Sequence, residues 1–156
     1  MCRDGGKTTR RWCKVSRTAS RTVTGGLQDL GKLRIVGVAL ISLVGLIHLL
    51  VTPEYYGFAA YLGLLIFANF AGSMVSAVGI YQGREWGWWL GVVMAGGAFL
   101  AYIESRTLGL PGLPSWEPFT EPPGLLSLLL EAIFVGLAAY VLGRKRRTTA
   151  SSGEVM

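Results

Sequence analysis

Apolar residues are concentrated in four long runs, and the short stretches between the runs hold most of the polar and charged positions. Each run is close to the ~20 residues that a helix needs to cross ~30 Å of hydrocarbon. The pattern predicts transmembrane helices over residues 33–51, 58–80, 87–104 and 124–142. The expected fold is an all-α integral membrane protein, built as an antiparallel four-helix transmembrane bundle in residues 33–143. The first run is too long for the apolar core of a secretory signal, so we expect it to be a retained span.

Basic residues are placed unevenly along the chain, which carries 15 Lys and Arg against 9 Asp and Glu. Nine of them lie in residues 1–34, four lie in residues 144–147, and Arg84 lies between the second and third runs. Only Arg106 lies in the other two connections. Because cytoplasmic segments of membrane proteins are enriched in Lys and Arg, this pattern predicts that both termini are cytoplasmic.

The two ends of the chain predict basic cytoplasmic tails. Residues 1–32 are rich in Arg, Thr, Ser and Gly, so a disordered segment is expected there, and residues 144–156 form a second basic tail. Basic segments beside a span attract anionic lipid, whereas nucleic-acid binding would need a fold or interleaved aromatics that the tails lack. The expected partners are the bilayer, anionic lipids at the tails, and a second copy or a larger membrane complex, with no nucleic acid.

Two connections lie on the predicted outer side. Pro53 is expected to end the first helix, which leaves residues 52–57 as a short loop. The second connection, residues 105–123, holds five of the six prolines and can be neither a helix interior nor a strand. Its apolar side chains need cover, so we expect a lid over the outer end of the bundle. The residues that typify this lid are Pro111, Trp116 and Phe119.

The sequence Ser-Arg-Thr-Leu-Gly-Leu-Pro-Gly at residues 105–112, followed by Ser127 and Glu131, carries a resemblance. It is similar to a family of small four-span bacterial and archaeal membrane proteins with an SRTxGLPG outer loop. The layout of the spans extends the similarity over residues ~30–143, although only the loop and fourth-helix residues are specific. The resemblance implies a multi-pass protein of a prokaryotic plasma membrane and draws attention to the loop, and it implies no activity.

Glu131 is an ionisable residue in the middle of the fourth apolar run. A carboxyl group there costs roughly 2.5–3.5 kcal/mol on insertion scales, so it marks a functional site that needs a partner. At 1.5 Å per residue it lies ~10 Å below the outer end of the fourth helix. Three environments remain open: an ion pair with Arg106, a carboxylate that contacts a ligand or carries a proton, and a protonated group bonded to Ser127 or a carbonyl.

The other candidate ligand- or ion-binding residues are His48, Glu104, Arg106 and Asn69. The first three belong to the outer half of the bundle, with the sole histidine, His48, ~6 Å below the outer end of the first helix. Asn69 lies near the centre of the second helix. An amide at this depth more often forms a hydrogen bond to another helix than binds a ligand.

Each predicted helix carries a stripe of small or polar residues at helical spacing, which we expect to face the bundle interior. The stripes are Gly37, Ile41, Gly45, His48 and Thr52 in the first helix; Asn69, Gly72, Ser73 and Ser76 in the second; Gly97, Ala101 and Glu104 in the third; and Gly124, Ser127, Glu131, Val135 and Ala138 in the fourth. Small residues also recur at four-residue spacing, as packing surfaces within the bundle or between copies: Ala68, Gly72 and Ser76; Gly87, Gly91 and Ala95; Ala132 and Gly136; and Ala139 and Gly143.

These residues point only weakly to a metal ion or another cofactor. His48, Glu104 and Glu131 could form a His/two-carboxylate metal site, and His48 could supply one axial ligand to haem. No spacing typical of a catalytic triad, a cysteine metal site or a phosphate-binding loop is present, so no catalytic residue is predicted.

The leading functional expectation is a non-enzymatic binding or accessory module with a polar pocket in the outer leaflet under the proline-rich lid. The alternatives are a proton- or ion-coupled transport component that acts as a dimer, and a redox accessory protein that binds quinone or haem.

Overall fold

A computed structural model describes residues 7–111 and 122–153, with side chains described over residues 30–111, at 122, and over 124–146. The described chain is entirely helical outside its connections. Its elements are α1 (Lys7–Phe58), α2 (Ala60–Tyr81), α3 (Glu85–Thr107) and α4 (Pro122–Gly153). Four segments are long and apolar enough to cross a membrane, which agrees with the predicted four spans: Leu30–Phe58, Ala60–Tyr81, Glu85–Thr107 and Gly124–Arg146.

The described chain divides into two units, residues 1–33 and 34–156. In the first unit the backbone is helical from Lys7, whereas the sequence predicted disorder over residues 1–32. This segment holds no proline, and a helix that extends from a formed span needs no new nucleus. In the second unit, the helical backbone of α4 continues through most of the predicted tail 144–156.

The helix ends differ from the predicted ones in two places. Residues 52–57 are helical, because α1 runs through Pro53 to Phe58 and only Ala59 connects it to α2. Proline removes a single backbone donor, so a helix near its end can tolerate it where packing continues beyond. The third helix ends at Thr107 rather than at residue 104, and the chain then passes through Gly109 at φ 77°. Trp116 and Phe119 of the predicted lid lie outside the described residues.

Trp88 of α3 is the largest buried side chain at the centre of the second unit. Its ring stacks on Phe134 of α4 with centroids 5.9 Å apart, and it also packs against Gly37 of α1. Each large aromatic buries 150–250 Å² and dominates core energetics. One indole therefore joins three of the four helices.

The helices α2 and α3 approach closely at Gly87. A Cβ atom at this residue would lie 2.5 Å from the backbone nitrogen of Ile80 and 2.6 Å from the carbonyl carbon of Gly79. The Ser76 hydroxyl donates to the Gly87 carbonyl at 2.8 Å, so the contact also satisfies a buried hydroxyl. Backbones that approach this closely gain dispersion contacts and hydrogen bonds, which drive helix association in lipid.

The predicted inward stripes are buried or half-buried in α1, α2 and α4, but not in α3. There the buried residues are Gly87, Trp88, Gly91 and Ala95, so the second predicted stripe of that helix is the packed one. Gly97, Ala101 and Glu104 are exposed, and their predicted inward orientation is wrong. The small residues of α4 at 132, 136, 139 and 143 are exposed as well, as is Ala68 of α2, so these positions do not pack against the described part of the protein.

We expect Gly87→Ala to lower the free energy of unfolding by about 1–3 kcal/mol, because backbone atoms that cannot rotate away block the added methyl group. Gly97→Ala is the matched control on the same helix, where a Cβ would meet nothing within 4 Å. Unfolding of both variants in mixed micelles, followed by circular dichroism, measures the difference. Equal losses at the two positions would contradict this account of the α2–α3 contact.

Candidate functional site

Glu131 of α4 is only 2% exposed and is the largest buried acidic side chain in the described part of the molecule. It lies on the same face of α4 as Ser127, Phe134 and Ala138, all of them buried, because these positions recur at three- and four-residue steps. The helix therefore directs the carboxyl group into the protein rather than toward lipid. A buried carboxyl group is costly unless its oxygens find donors or an opposite charge.

Ser127 provides the first contact. Its hydroxyl, one turn earlier on α4 and 8% exposed, donates a hydrogen bond of 2.7 Å to Oε1 of Glu131. A contact with Ser127 is part of the third environment predicted for the carboxyl group, in which that group is protonated. It leaves Oε2 and the second lone pair of Oε1 available for a donor from another helix.

His48 of α1 provides the second contact. Its Nε2 atom lies 3.8 Å from Oε1 of Glu131, and its side chain is 13% exposed. The other ring nitrogen, Nδ1, lies 2.9 Å from the carbonyl oxygen of Val44. A carbonyl oxygen only accepts, so Nδ1 carries a hydrogen and Nε2 faces the carboxyl group. The sole histidine is thus oriented by its own helix toward the sole buried acid of the described residues.

The tautomer of His48 limits the protonation states of the pair. With Nδ1 protonated, a neutral imidazole presents a lone pair to Oε1, and an ionised Glu131 would then face a like-signed partner. One additional proton removes this repulsion, whether it lies on Nε2 as an ion pair or on the carboxyl group as a neutral pair. One shared proton, on either partner, is the state that would relieve this repulsion.

Arg106 and Glu104 do not join this cluster. The Arg106 guanidinium lies over the ring of Tyr102, 5.2 Å from its centroid, and it is not among the partners of Glu131. Glu104 is exposed, since the turn of α3 that carries it faces away from the packed side. Of the four polar residues assigned to the outer half of the bundle, only His48 and Glu131 lie together, because depth along a helix does not fix the direction of a side chain.

Asn69 has a packing role. Its side-chain amide donates to the carbonyl of Met94 on α3 at 2.9 Å, and its oxygen accepts from the Ser73 hydroxyl at 3.3 Å. The amide nitrogen therefore bonds between α2 and α3, whereas the oxygen is engaged within α2. A hydrogen bond between helices is the use expected for an amide at this depth. Ser73 and Ser76 are fully buried. The sequence pointed to these two residues only as members of the predicted inward stripe of α2.

Metal and haem chemistry gains no support from the geometry. No group of three or more His, Cys, Asp and Glu side chains that could hold a metal occurs among the described residues. The exposure of Glu104 removes the third ligand from the suggested His48, Glu104 and Glu131 set. What the cluster can do chemically is hold a proton or accept a hydrogen-bond donor.

The proline-rich connection is attached to the bundle at its described start. The hydroxyl of Tyr61, near the beginning of α2, donates to the carbonyl of Pro111. The N–H groups of Leu108 and Gly109 both donate to the Glu104 carbonyl, which ends α3 just before this attachment. Pro111, a predicted lid residue, is thus placed beside the α1–α2 connection.

Neither family models, nor curated protein sequences, nor solved structures show a match to the chain. The resemblance seen at residues 105–112 therefore stays a prediction.

A double-mutant cycle measures the coupling between His48 and Glu131. We expect His48→Gln and Glu131→Gln to show an interaction free energy of about 1–3 kcal/mol, because each single change leaves a buried polar partner without its counterpart. Reversible unfolding of the four proteins in mixed micelles gives the value.

The control cycle uses the half-exposed pair of Lys145 and Glu85, whose atoms lie 3.5 Å apart. Solvent and salt should reduce its coupling to about 0–1 kcal/mol. A His48–Glu131 coupling no larger than this control would show that the buried contact has no energetic role.

Proposed function

We propose that the chain is a non-enzymatic binding module of a prokaryotic plasma membrane, and that its binding centre is the His48–Glu131–Ser127 cluster. The observation that carries the proposal is the burial of Glu131 against the imidazole of His48, at 3.8 Å between Oε1 and Nε2. An ionisable pair inside a membrane protein is expensive, and such residues mark ion or substrate sites by default. The species bound by the pair itself is a proton.

The topology we propose is an antiparallel bundle with both termini in the cytoplasm. Contacts between α3 and α4 support it, since Glu85 at the start of α3 pairs with Lys145 late in α4, and Tyr102 late in α3 packs against Gly124 early in α4. The cationic residues near Glu85 agree with a cytoplasmic placement of that end. In this orientation the His48–Glu131 pair lies in the outer half of the bilayer.

The proline-rich segment is proposed as a lid over this half. The Tyr61–Pro111 hydrogen bond supports the proposal because it holds the start of the segment against α2. Loops of this length in compact proteins often cover binding sites. A lid there would control whether water or a ligand group reaches the carboxyl group from the outer side.

Proton-coupled transport by a dimer is the second candidate function, and the same buried pair is the feature that favours it. The other half of the described bundle offers no continuation, because Asn69, Ser73 and Ser76 are all engaged in hydrogen bonds and none of them ionises. A proton path needs successive exchangeable groups, so we favour the binding module over the transport component.

Infrared difference spectroscopy of the protein in liposomes tests the proposal. Changing the pH should produce a carbonyl-stretch band of a protonated carboxyl group that is absent in Glu131→Gln and altered in His48→Gln, because the two residues share one proton. Glu54→Gln, an exposed residue, is the control and should leave that band unchanged.

Two results would contradict the proposal. A band that is unaffected by Glu131→Gln would place the titrating group elsewhere. Proton flux into the same liposomes that Glu131→Gln abolishes would replace the binding module with the transport component.

A further inference from the structure

Arg34 of α1 lies against the turn that connects α2 to α3. Its Nη1 atom is 3.0 Å from the position that a Cβ atom of Gly83 would occupy. Gly83 has φ 77°, a left-handed conformation that glycine adopts without steric cost, and it is followed by Arg84. Two arginines from different parts of the chain thus adjoin one turn, residues 82–84, which we call the arginine turn.

The guanidinium of Arg34 has no counterpart in the described part of the chain. Its Nε atom is buried and makes no hydrogen bond. The ion pairs among described residues join His48 to Glu131 and Lys145 to Glu85, and neither includes Arg34 or Arg84. A buried N–H donor without an acceptor is costly, so a partner from outside the described residues that brings an acceptor to this half-buried side chain would be stabilised there.

The arginine turn is closed by its own backbone hydrogen bonds. The N–H groups of Gln82, Gly83 and Arg84 donate to the carbonyls of Val78, Ile80 and Gly79, respectively. The Nε atom of Arg34 makes no hydrogen bond to this turn, so an oxygen acceptor that approaches it would meet an unpaired donor.

The surroundings of the arginine turn have the composition of a membrane–water interface. Tyr81, Trp86 and Trp89 are exposed around it, as aromatic belts at headgroup depth are. Arg146 lies over the Trp89 ring, 5.8 Å from its centroid, which adds another cation at this end. The apolar side chains of Ile35 and Val78 are exposed beside Arg34 and before the turn, respectively, and offer a surface for acyl chains.

We propose that Arg34 and Arg84 bind the phosphate group of an anionic phospholipid at the arginine turn. A guanidinium presents several N–H donors in a planar fork that matches phosphate oxygens, and an interfacial lipid brings its phosphate to the depth of this turn. Free inorganic phosphate has the same oxygens but makes no use of the adjoining aromatic and apolar side chains. This inference does not depend on the His48–Glu131 binding centre.

Native mass spectrometry of the full chain, released from nonionic detergent, tests the site. The sample contains equal amounts of phosphatidylglycerol and phosphatidylcholine with identical acyl chains. We expect one phosphatidylglycerol to be retained in preference, and Arg34→Gln to reduce that preference about fivefold to tenfold. Lys32→Gln is the matched control, since Lys32 is an exposed residue of equal charge on the same helix, and its effect should stay below about twofold.

Three results would overturn the proposal. Equal effects of Arg34→Gln and Lys32→Gln would reduce the site to diffuse attraction between basic residues and lipid. Equal retention of the two lipids by the unmodified protein would remove the headgroup selectivity. Displacement of phosphatidylglycerol by millimolar inorganic phosphate would assign the site to the free ion. Should Arg34→Gln fail to fold, Arg84→Gln replaces it, because that side chain is exposed and the same loss is expected.

Discussion

The buried carboxyl group of Glu131 is the constraint on which the arrangement of α1 and α4 depends. In lipid, burial of apolar surface does not favour one neighbouring helix over another. A buried ionisable group favours a neighbouring helix that provides a polar partner for it. The imidazole of His48 is the partner across the helix boundary, and the Ser127 hydroxyl is the local donor. The Val44 carbonyl then decides which ring nitrogen faces the acid. The same contact thus joins α1 to α4 and forms the candidate site.

The remaining packing is compatible with this pair because few other buried polar atoms of the described residues lack a hydrogen-bond partner. Asn69 and Ser76 of α2 donate to carbonyls of α3, and Ser73 donates to Asn69 within α2. Trp88 fills the space that α1, α3 and α4 share. The bundle is thus held by small residues at its tightest crossing and by one large ring at its centre. The proposed lipid site at the arginine turn uses the opposite kind of surface, with exposed aromatics and excess positive charge.

Much of the architecture was predictable because the membrane imposes one period and one length on every span. Four spans, the inward stripes of α1, α2 and α4, and the Glu131–Ser127 relation follow from apolar run length and helical spacing. Glu104 shows one limit of prediction from the sequence. Helix α3 carries two stripes of small residues, and its composition does not show which stripe packs against the other helices. Arg106 shows a second limit, because residues at similar depth need not point toward one another. Pro53 shows a third, since the loss of one backbone donor does not by itself end a helix.

Solid-state NMR of the protein in bilayers, labelled with ¹⁵N in histidine and ¹³C in glutamate, tests the central claim most directly. His48 is the only histidine, so every ¹⁵N ring signal belongs to it. The account predicts a protonated Nδ1 and a weak but measurable dipolar coupling from Nε2 to the Glu131 carboxyl carbon, as expected for a 3.8 Å contact with Oε1. An imidazole protonated only at Nε2, with no coupling to that carbon, would contradict it.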